Sequence, residues 1–346
     1  MENKSLEKKS GIGGWFKDQW TRNPMFSTLF ALVVMVLIQC VVLGNIAGSF
    51  LGMFGKLGTA WMNILKNNTY AGLIALGMCF AIISGGIDLS VGSMLCAMGA
   101  ILMWLVDPGK GLLAKLGITG GLAYVLAIII IIGVGYVLGT INGSLIAYGG
   151  LPPFIATLGT QKIFRSVTQQ ICKKFSPEVP AGFKAITSTK INGQVILPII
   201  YWIIVVIIMH IVFKKTAFGR KTIAIGSNER AAKLSGINVN KTKRNIYALT
   251  GVMCALATIV YVSRIGSMDF ANAGSGYEMD AIAAVIVGGT AMSGGRGSLI
   301  GTFVGMLIMA VMNNILNSVG IPTFLTEAVK GAIIIFAVFI QKKDKV

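Results

Sequence analysis

The sequence predicts an all-α, polytopic integral membrane protein of about ten transmembrane helices, with two glycine-rich helix breaks in related halves. Three observations carry this. The 346 residues are 55% hydrophobic and 12% charged, with a mean hydropathy of +0.78. A soluble domain carries about 25% charge. Apolar runs of membrane-spanning length recur along the chain. The charges gather in tails and loops.

Residues 1–25 form a predicted cytoplasmic tail. Lys4, Lys8, Lys9, Lys17 and Arg22 alternate with Trp15, Phe16 and Trp20, a basic tail with an interfacial aromatic anchor. No small-residue cleavage site follows an early apolar core, so the first span, 26–47, reads as a retained anchor. Residues 48–68, glycine-rich with Lys56, Trp61 and Lys66, read as an amphipathic or re-entrant piece on the outer face.

The second span, 69–86, ends in Ser84-Gly85-Gly86-Ile87-Asp88-Leu89-Ser90, and the third, 89–106, follows without a hydrophilic loop. The kink therefore lies at or near membrane depth. Irregular backbone survives there only where protein covers it or a wet cavity meets it. Asp88 is costly in that place unless paired or hydrated. Its carboxylate can cap the helix that starts at Leu89, the preferred reading, or face a polar path; the two are compatible.

A loop at 107–119 leads to an uncharged fourth span, 120–141, whose Gly133, Gly135 and Gly139 permit close helix approach. Their spacing and the lack of a preceding strand exclude a dinucleotide loop. The stretch 143–172 is interrupted by Pro152-Pro153 and carries Thr157, Thr160, Lys162, Arg165 and Thr168, polar groups expected to face the bundle interior. An outer loop, 173–194, precedes the sixth span, 195–213. After a central loop come a seventh span (245–263), an outer loop (264–276), an eighth apolar piece (281–292), the break Ser293-Gly294-Gly295-Arg296-Gly297, a ninth span (298–316) and a tenth (323–340). Gly297, Gly301 and Gly305 form a small-residue packing ridge on the ninth. Glu327 and Lys330 share a face of the tenth and can neutralise each other. The domain plan is thus a transmembrane domain, 26–341, between the tail at 1–25 and a basic tail at 342–346.

The central loop, 214–244, sets nine basic residues against Glu229 alone. It holds a short helix with its own signals. Ser227 or Asn228 can cap it, Glu229 favours its positive end, and Gly236 suits the left-handed position past its C-terminus. Such a solvated helix between two spans is placed to touch a soluble partner; an ordinary stop-transfer loop is the alternative. Ten spans put both tails and this loop on one side, and those regions hold more than half of the 30 basic residues. The parity obeys the positive-inside rule, against which the four lysines of 173–194 count modestly.

The net charge of +18 is explained first by orientation and anionic lipid headgroups, not by nucleic acid. Cys40, Cys79, Cys96, Cys172 and Cys254 form no C-x-x-C pair and read as small buried hydrophobes without disulfides or metal. His210 is the single histidine, which excludes a histidine metal cluster. Two echoes support related halves: Ser84-Gly85-Gly86 with Ser293-Gly294-Gly295, and Asn142 before Gly150-Leu151-Pro152 with Asn313 before Gly320-Ile321-Pro322. In transporters, paired breaks of this kind line the path.

Five stretches in order carry a resemblance: SGGIDLSVGS (84–93), PPFIATLGT (152–160), FGRKTIAIGSNERAAKLSGINV (218–239), YEMDAIAAVIVGGTAMSGGRGSLIGTFVG (277–305) and KGAIIIFAVF (330–339). They resemble the membrane permease of ribose, galactose and xylose ATP-binding cassette importers, over nearly the whole chain after residue 60. That resemblance implies a homodimer in the bacterial inner membrane, a cytoplasmic ATPase partner and an extracytoplasmic sugar-binding protein. ATP and magnesium would sit on the ATPase, with no cofactor bound by this chain. The helix with Asn228, Glu229, Ala231, Ala232 and Gly236, together with Gly219, resembles the coupling element that docks on the ATPase. Asp88, Ser90, Asn142, Phe154, Thr157 and Asn313 are the positions expected at the path or the helix breaks. The implied mechanism is alternating access. Of the sugars, IYALTGV, Arg264-Ile265-Gly266-Ser267 and YEMDAIAA resemble galactose and methyl-galactoside permeases, so the motifs lean to galactose.

The chain has no G-x-x-x-x-G-K-[ST] phosphate loop, so nucleotide hydrolysis falls to a partner. Two rivals remain at this stage. An ion-coupled secondary carrier needs buried ionisable relays, for which Asp88, Asp280, and Glu327 with Lys330 qualify. A membrane enzyme needs a histidine pair, carboxylate constellation or nucleophile motif, none of which the sequence carries.

Overall fold

The computed structural model describes residues 24–48, 50–173, 177–322, 325–333 and 335. The predicted aromatic anchor near the N-terminus, the C-terminal tail and the far half of the tenth span lie outside these residues. The chain is a bundle of α1 (Pro24–Ala47), α2 (Phe50–Asn67), α3 (Thr69–Ile83), α4 (Val91–Val106), α5 (Leu112–Lys115), α6 (Gly120–Ala147), α7 (Pro153–Cys172) and α8 (Ala181–Ser188). It continues with α9 (Leu197–Lys215), α10 (Ala217–Ser227), α11 (Glu229–Leu234), α12 (Val239–Ile265), α13 (Tyr277–Val287) and α14 (Leu299–Ser318). Residues 325–333 are again helical. Among the described residues the sole sheet is a hairpin of β1 (Lys190–Ile191) and β2 (Gln194–Val195).

The all-α membrane class holds. Among the described residues five helices, including α6, α9 and α12, are long and apolar enough to cross a membrane. α3 is apolar all round, and every residue but Tyr70 is buried, which makes it the hub of the bundle. α12 lies against α3, α4 and α6. α1, α6 and α9 stand outside and expose Leu37, Val41, Leu122, Ile129 and Ile207, an apolar surface suited to lipid.

Small residues set the closest helix contacts. Gly135, Gly139 and Gly143 of α6 meet the backbone of α12: a Cβ on Gly135 would stand 2.4 Å from the Gly251 carbonyl oxygen, and one on Gly139 2.2 Å from that of Tyr247. Gly133 has open space beside it and takes no part. On α14, Gly301 and Gly305 press against the Gly288 and Ala284 carbonyls, while Gly297 meets the Ile83 side chain.

Three boundaries differ from the sequence reading. Residues 142–147 complete α6 instead of opening the next span, and Pro153 starts α7, where a missing N–H costs nothing. The proline pair thus marks the expected discontinuity, with a new helix beginning at Pro153. The central loop contains two helices, and α10 folds back so that Phe218 stacks on Phe80 of α3 at 5.7 Å. The predicted outer loop 264–276 does not stand clear of the bundle. It runs along α4, with Met268 against Gly99, the Phe270 carbonyl 3.4 Å from Cys96 Sγ, and Gly274 backbone against Gly92.

Candidate functional site

The first break is built by a helix stop and a polar cluster. α3 ends with Gly85 in the left-handed region (φ +83°), and Gly86 N–H donates back to the Ala81 carbonyl at 2.9 Å. The chain then turns through Asp88, which is fully buried. Asp88 Oδ1 accepts the Ser90 N–H at 2.9 Å and the Ser90 hydroxyl at 2.6 Å. Asn142 Nδ2, from α6, donates to Ser90 Oγ at 2.7 Å and lies 3.4 Å from both Asp88 oxygens. Two further hydroxyls, Thr157 of α7 and Tyr247 of α12, reach the Ile87 carbonyl at 3.4 Å. Irregular backbone is thus covered by α6, α7 and α12, as burial in an apolar bundle demands.

The second break follows the same logic at α13. Gly289 (φ +86°) stops the helix, and Thr290 N–H returns to the Val285 carbonyl at 3.1 Å. Ser298 Oγ then caps α14 by accepting the Gly301 N–H at 3.0 Å. In geometry Gly85 corresponds to Gly289, so the sequence echo with Gly294 was set five residues too far along. The other echo keeps its register: Gly150 (φ +68°) and Gly320 (φ +83°) both follow a long helix and precede a hydrophobic-Pro pair.

The docking candidate is α11. Asn228 is its cap, its side chain accepting the Ala231 N–H at 3.0 Å. Glu229 pairs with Lys243 at 2.7 Å on the surface. Ala232 packs inward on Ile225 and Val239, while Ala231 is exposed. Gly236 (φ +79°) ends the turn, with Ile237 N–H on the Ala232 carbonyl at 3.1 Å. Leu234 is 90% exposed, an apolar side chain that no described residue covers. Gly219 sits at the fold-back, where a Cβ would stand 1.9 Å from the Phe213 carbonyl oxygen. Ser227, the alternative cap, does not cap α11; it faces the second break.

A polar face on α7 holds the tucked loop. Arg165 Nη1 donates to the Ala273 carbonyl at 2.7 Å, and Gln169 Nε2 to that of Ala271 at 3.3 Å. Gln161 Nε2 donates to Glu278 Oε1 at 3.2 Å. Glu278 is 8% exposed, and its Oε2 has no partner among the described residues.

Comparison with known proteins then decides the class. A family described as the permease component of the branched-chain amino acid transport system matches residues 60–338. The chain belongs to this permease family. It is 40% identical over 92% of both chains to the ribose import permease protein of Bacillus subtilis. Against the galactose/methyl galactoside import permease protein of Escherichia coli it is 37% identical, over 80% of this chain and 84% of that one. It is 32% identical to the xylose transport system permease protein of Escherichia coli, over 82% and 84%. No solved structure matches.

Within this permease the predicted positions fall into separate places. Asp88, Ser90, Asn142 and Thr157 come together at the first break. Asn313 lies apart on α14 with its Oδ1 unpartnered among the described residues, and Phe154 is 56% exposed at the start of α7. Gly219, Asn228, Glu229, Ala231, Ala232 and Gly236 share the loop. The sequence reading missed Gln161 and Glu278. The spacing of Thr157, Gln161, Arg165 and Gln169, every fourth residue on one helix, was the signal for the α7 face.

Proposed function

We propose that this permease is the membrane subunit of an ATP-driven importer that moves a monosaccharide into the cytoplasm by alternating access, with ribose first among the candidates. The observation that carries the reading is a basic loop presenting a short helix with an exposed leucine, packed against two helix breaks. A docking surface and a movable path are thereby adjacent. The names of the relatives support sugar import. The ribose relative is 40% identical and the galactose relative 37%, which supports ribose ahead of the galactose suggested by the motifs.

In this reading two copies pair in a bacterial cytoplasmic membrane, with both termini and the central loop inside. A cytoplasmic ATPase holds ATP and magnesium, and an extracytoplasmic protein delivers the sugar. The sugar passes beside α7, whose polar face meets α4 and the tucked loop. A second reading, an ion-coupled carrier, draws on one observation: Lys330 Nζ lies 2.9 Å from both Asp280 and Glu327, an ion cluster at the α13 flank.

The test is a detergent pull-down of tagged permease from its native cells, followed by uptake of labelled ribose, galactose and xylose. Capture of an ATPase, lost when residues 228–236 are scrambled, supports the importer. Uptake that an uncoupler abolishes at constant ATP, with no ATPase captured, replaces it with the carrier.

A further inference from the structure

We propose that Gly226, Gly294 and Gly295 are positioning residues that tie the docking helix to both helix breaks through main-chain contact, so that movement of the loop repositions the two breaks together. This deepens the importer reading and rests on it.

Three backbone segments meet at one point. Ile83 is the last helical residue of α3, and its carbonyl accepts the Gly295 N–H at 2.8 Å. Gly226, near the end of α10, lies against the same pair: a Cβ there would stand 1.8 Å from the Ile83 oxygen and 2.6 Å from the Gly295 nitrogen. A Cβ on Gly294 would stand 3.0 Å from the Gly226 oxygen and 3.1 Å from the Gly85 nitrogen. One on Gly295 would stand 2.5 Å from Ser227 Oγ and 2.9 Å from its Cα. Gly294 and Gly295 also hold φ of +79° and +76°, where a side chain is strained.

The chemistry of this contact suits transmission. Flexible side chains absorb small displacements by changing rotamer; packed backbone does not. Ser227 is followed at once by Asn228, the cap of α11, so no slack separates the junction from the docking helix. On the far side, the first break continues directly into the Asp88–Ser90–Asn142 cluster and the second into α14. Gly297 offers an internal contrast: the nearest atoms a Cβ there would meet belong to side chains and not to backbone, Ile83 at 2.6 Å and the Thr290 methyl at 2.8 Å.

The experiment compares wild-type, Gly226→Ala, Ser227→Val and Gly297→Ala permeases, each purified with its captured ATPase and placed in vesicles. Uptake of labelled ribose, galactose and xylose is measured beside ATP hydrolysis. In Gly226→Ala and Ser227→Val the ATPase stays attached and hydrolyses ATP, while sugar moved per ATP falls about tenfold, an ordinary size for a coupling free energy. Gly297→Ala keeps the wild-type ratio. An unchanged ratio in both junction variants overturns the proposal. So does loss of folded protein or of ATPase attachment in both, which would make the glycines purely structural. Should one variant fail to fold, the ratio in the other decides. A wild-type permease that captures no ATPase fails differently: the importer reading falls, and the junction's role with it.

Discussion

Gly295 donates its N–H to the Ile83 carbonyl at 2.8 Å, so the second helix break is hydrogen-bonded to the helix that ends at the first. The two breaks are therefore one structural unit, although more than 200 residues separate them. Perturbing either should be felt at both.

Asp88→Ala tests the first break. The variant removes the acceptor of the Ser90 N–H and hydroxyl and leaves two buried donors short of partners. The N-cap of α4 is Ser90, so Asp88 ties the turn before the helix and does not cap the helix itself, and each orphaned buried donor costs about 1–3 kcal/mol. Membrane yield and melting temperature in detergent should both drop. Normal yield and melting with lost transport would move Asp88 from a structural role to the path.

Glu229 and Lys243 separate docking from loop integrity. Their ion pair is on the surface, with 55% of the Glu229 side chain exposed, and is worth at most about 1 kcal/mol. Glu229→Lys should therefore leave the loop folded and reduce uptake through lost docking. Adding Lys243→Glu restores the pair with reversed polarity. Uptake that stays low in the double variant supports a docking carboxylate; full recovery shows that only the internal pair mattered.

Acid should loosen the far side of α4. Asp107 Oδ1 accepts N–H groups of Gly109 at 2.8 Å and Lys110 at 2.7 Å, and Oδ2 that of Glu178 at 2.9 Å. Burial pushes this carboxyl up, but the backbone donors, led by Lys110, outweigh it and hold it below its ordinary value. A carboxyl lowered on folding contributes stability that is fully present above its unfolded pKa of about 3.9 and is lost as pH falls through the lower folded value. Hydrogen exchange at Gly109, Lys110 and Glu178 should be protected at neutral pH and in mild acid, and Asp107→Ala should expose all three at pH 7. Equal protection in the variant would show that the carboxylate does not hold this loop.

Local signals made part of this readable in advance. The first break was legible because two apolar runs met with no hydrophilic loop between them, and α11 because Asn228 and Gly236 carry recognisable end chemistry. Non-local contacts were hidden. Nothing near Ser227 or Gly226 in sequence announces Ile83 or Gly295. The loop 264–276 carries Arg264, Asp269 and Asn272, a surface pattern, yet α7 donors draw it along α4. Glu278 was masked by a local rule, since an acid in the first turn of a helix needs no further reason.

That local reason does not account for its burial, and Glu278 is where the path should be tested. Its Oε1 takes a hydrogen bond from Gln161 at 3.2 Å, and its Oε2 is unpartnered among the described residues beside Gly92, where a Cβ would stand 2.7 Å away. A buried ionisable group with an unpartnered oxygen is retained at a cost, and once the α7 face opens a sugar hydroxyl can donate to that oxygen. Hydrogen bonds to charged groups are worth about 1.5–3 kcal/mol, so Glu278→Gln should raise the KM for sugar uptake about tenfold or more while ATP hydrolysis and melting temperature stay near wild type. Gln161→Ala, which frees Oε1, should perturb KM less, because the carboxylate remains. A stable Glu278→Gln permease with unchanged KM would take the carboxylate out of the path and leave it as a brace between α13, α7 and α4.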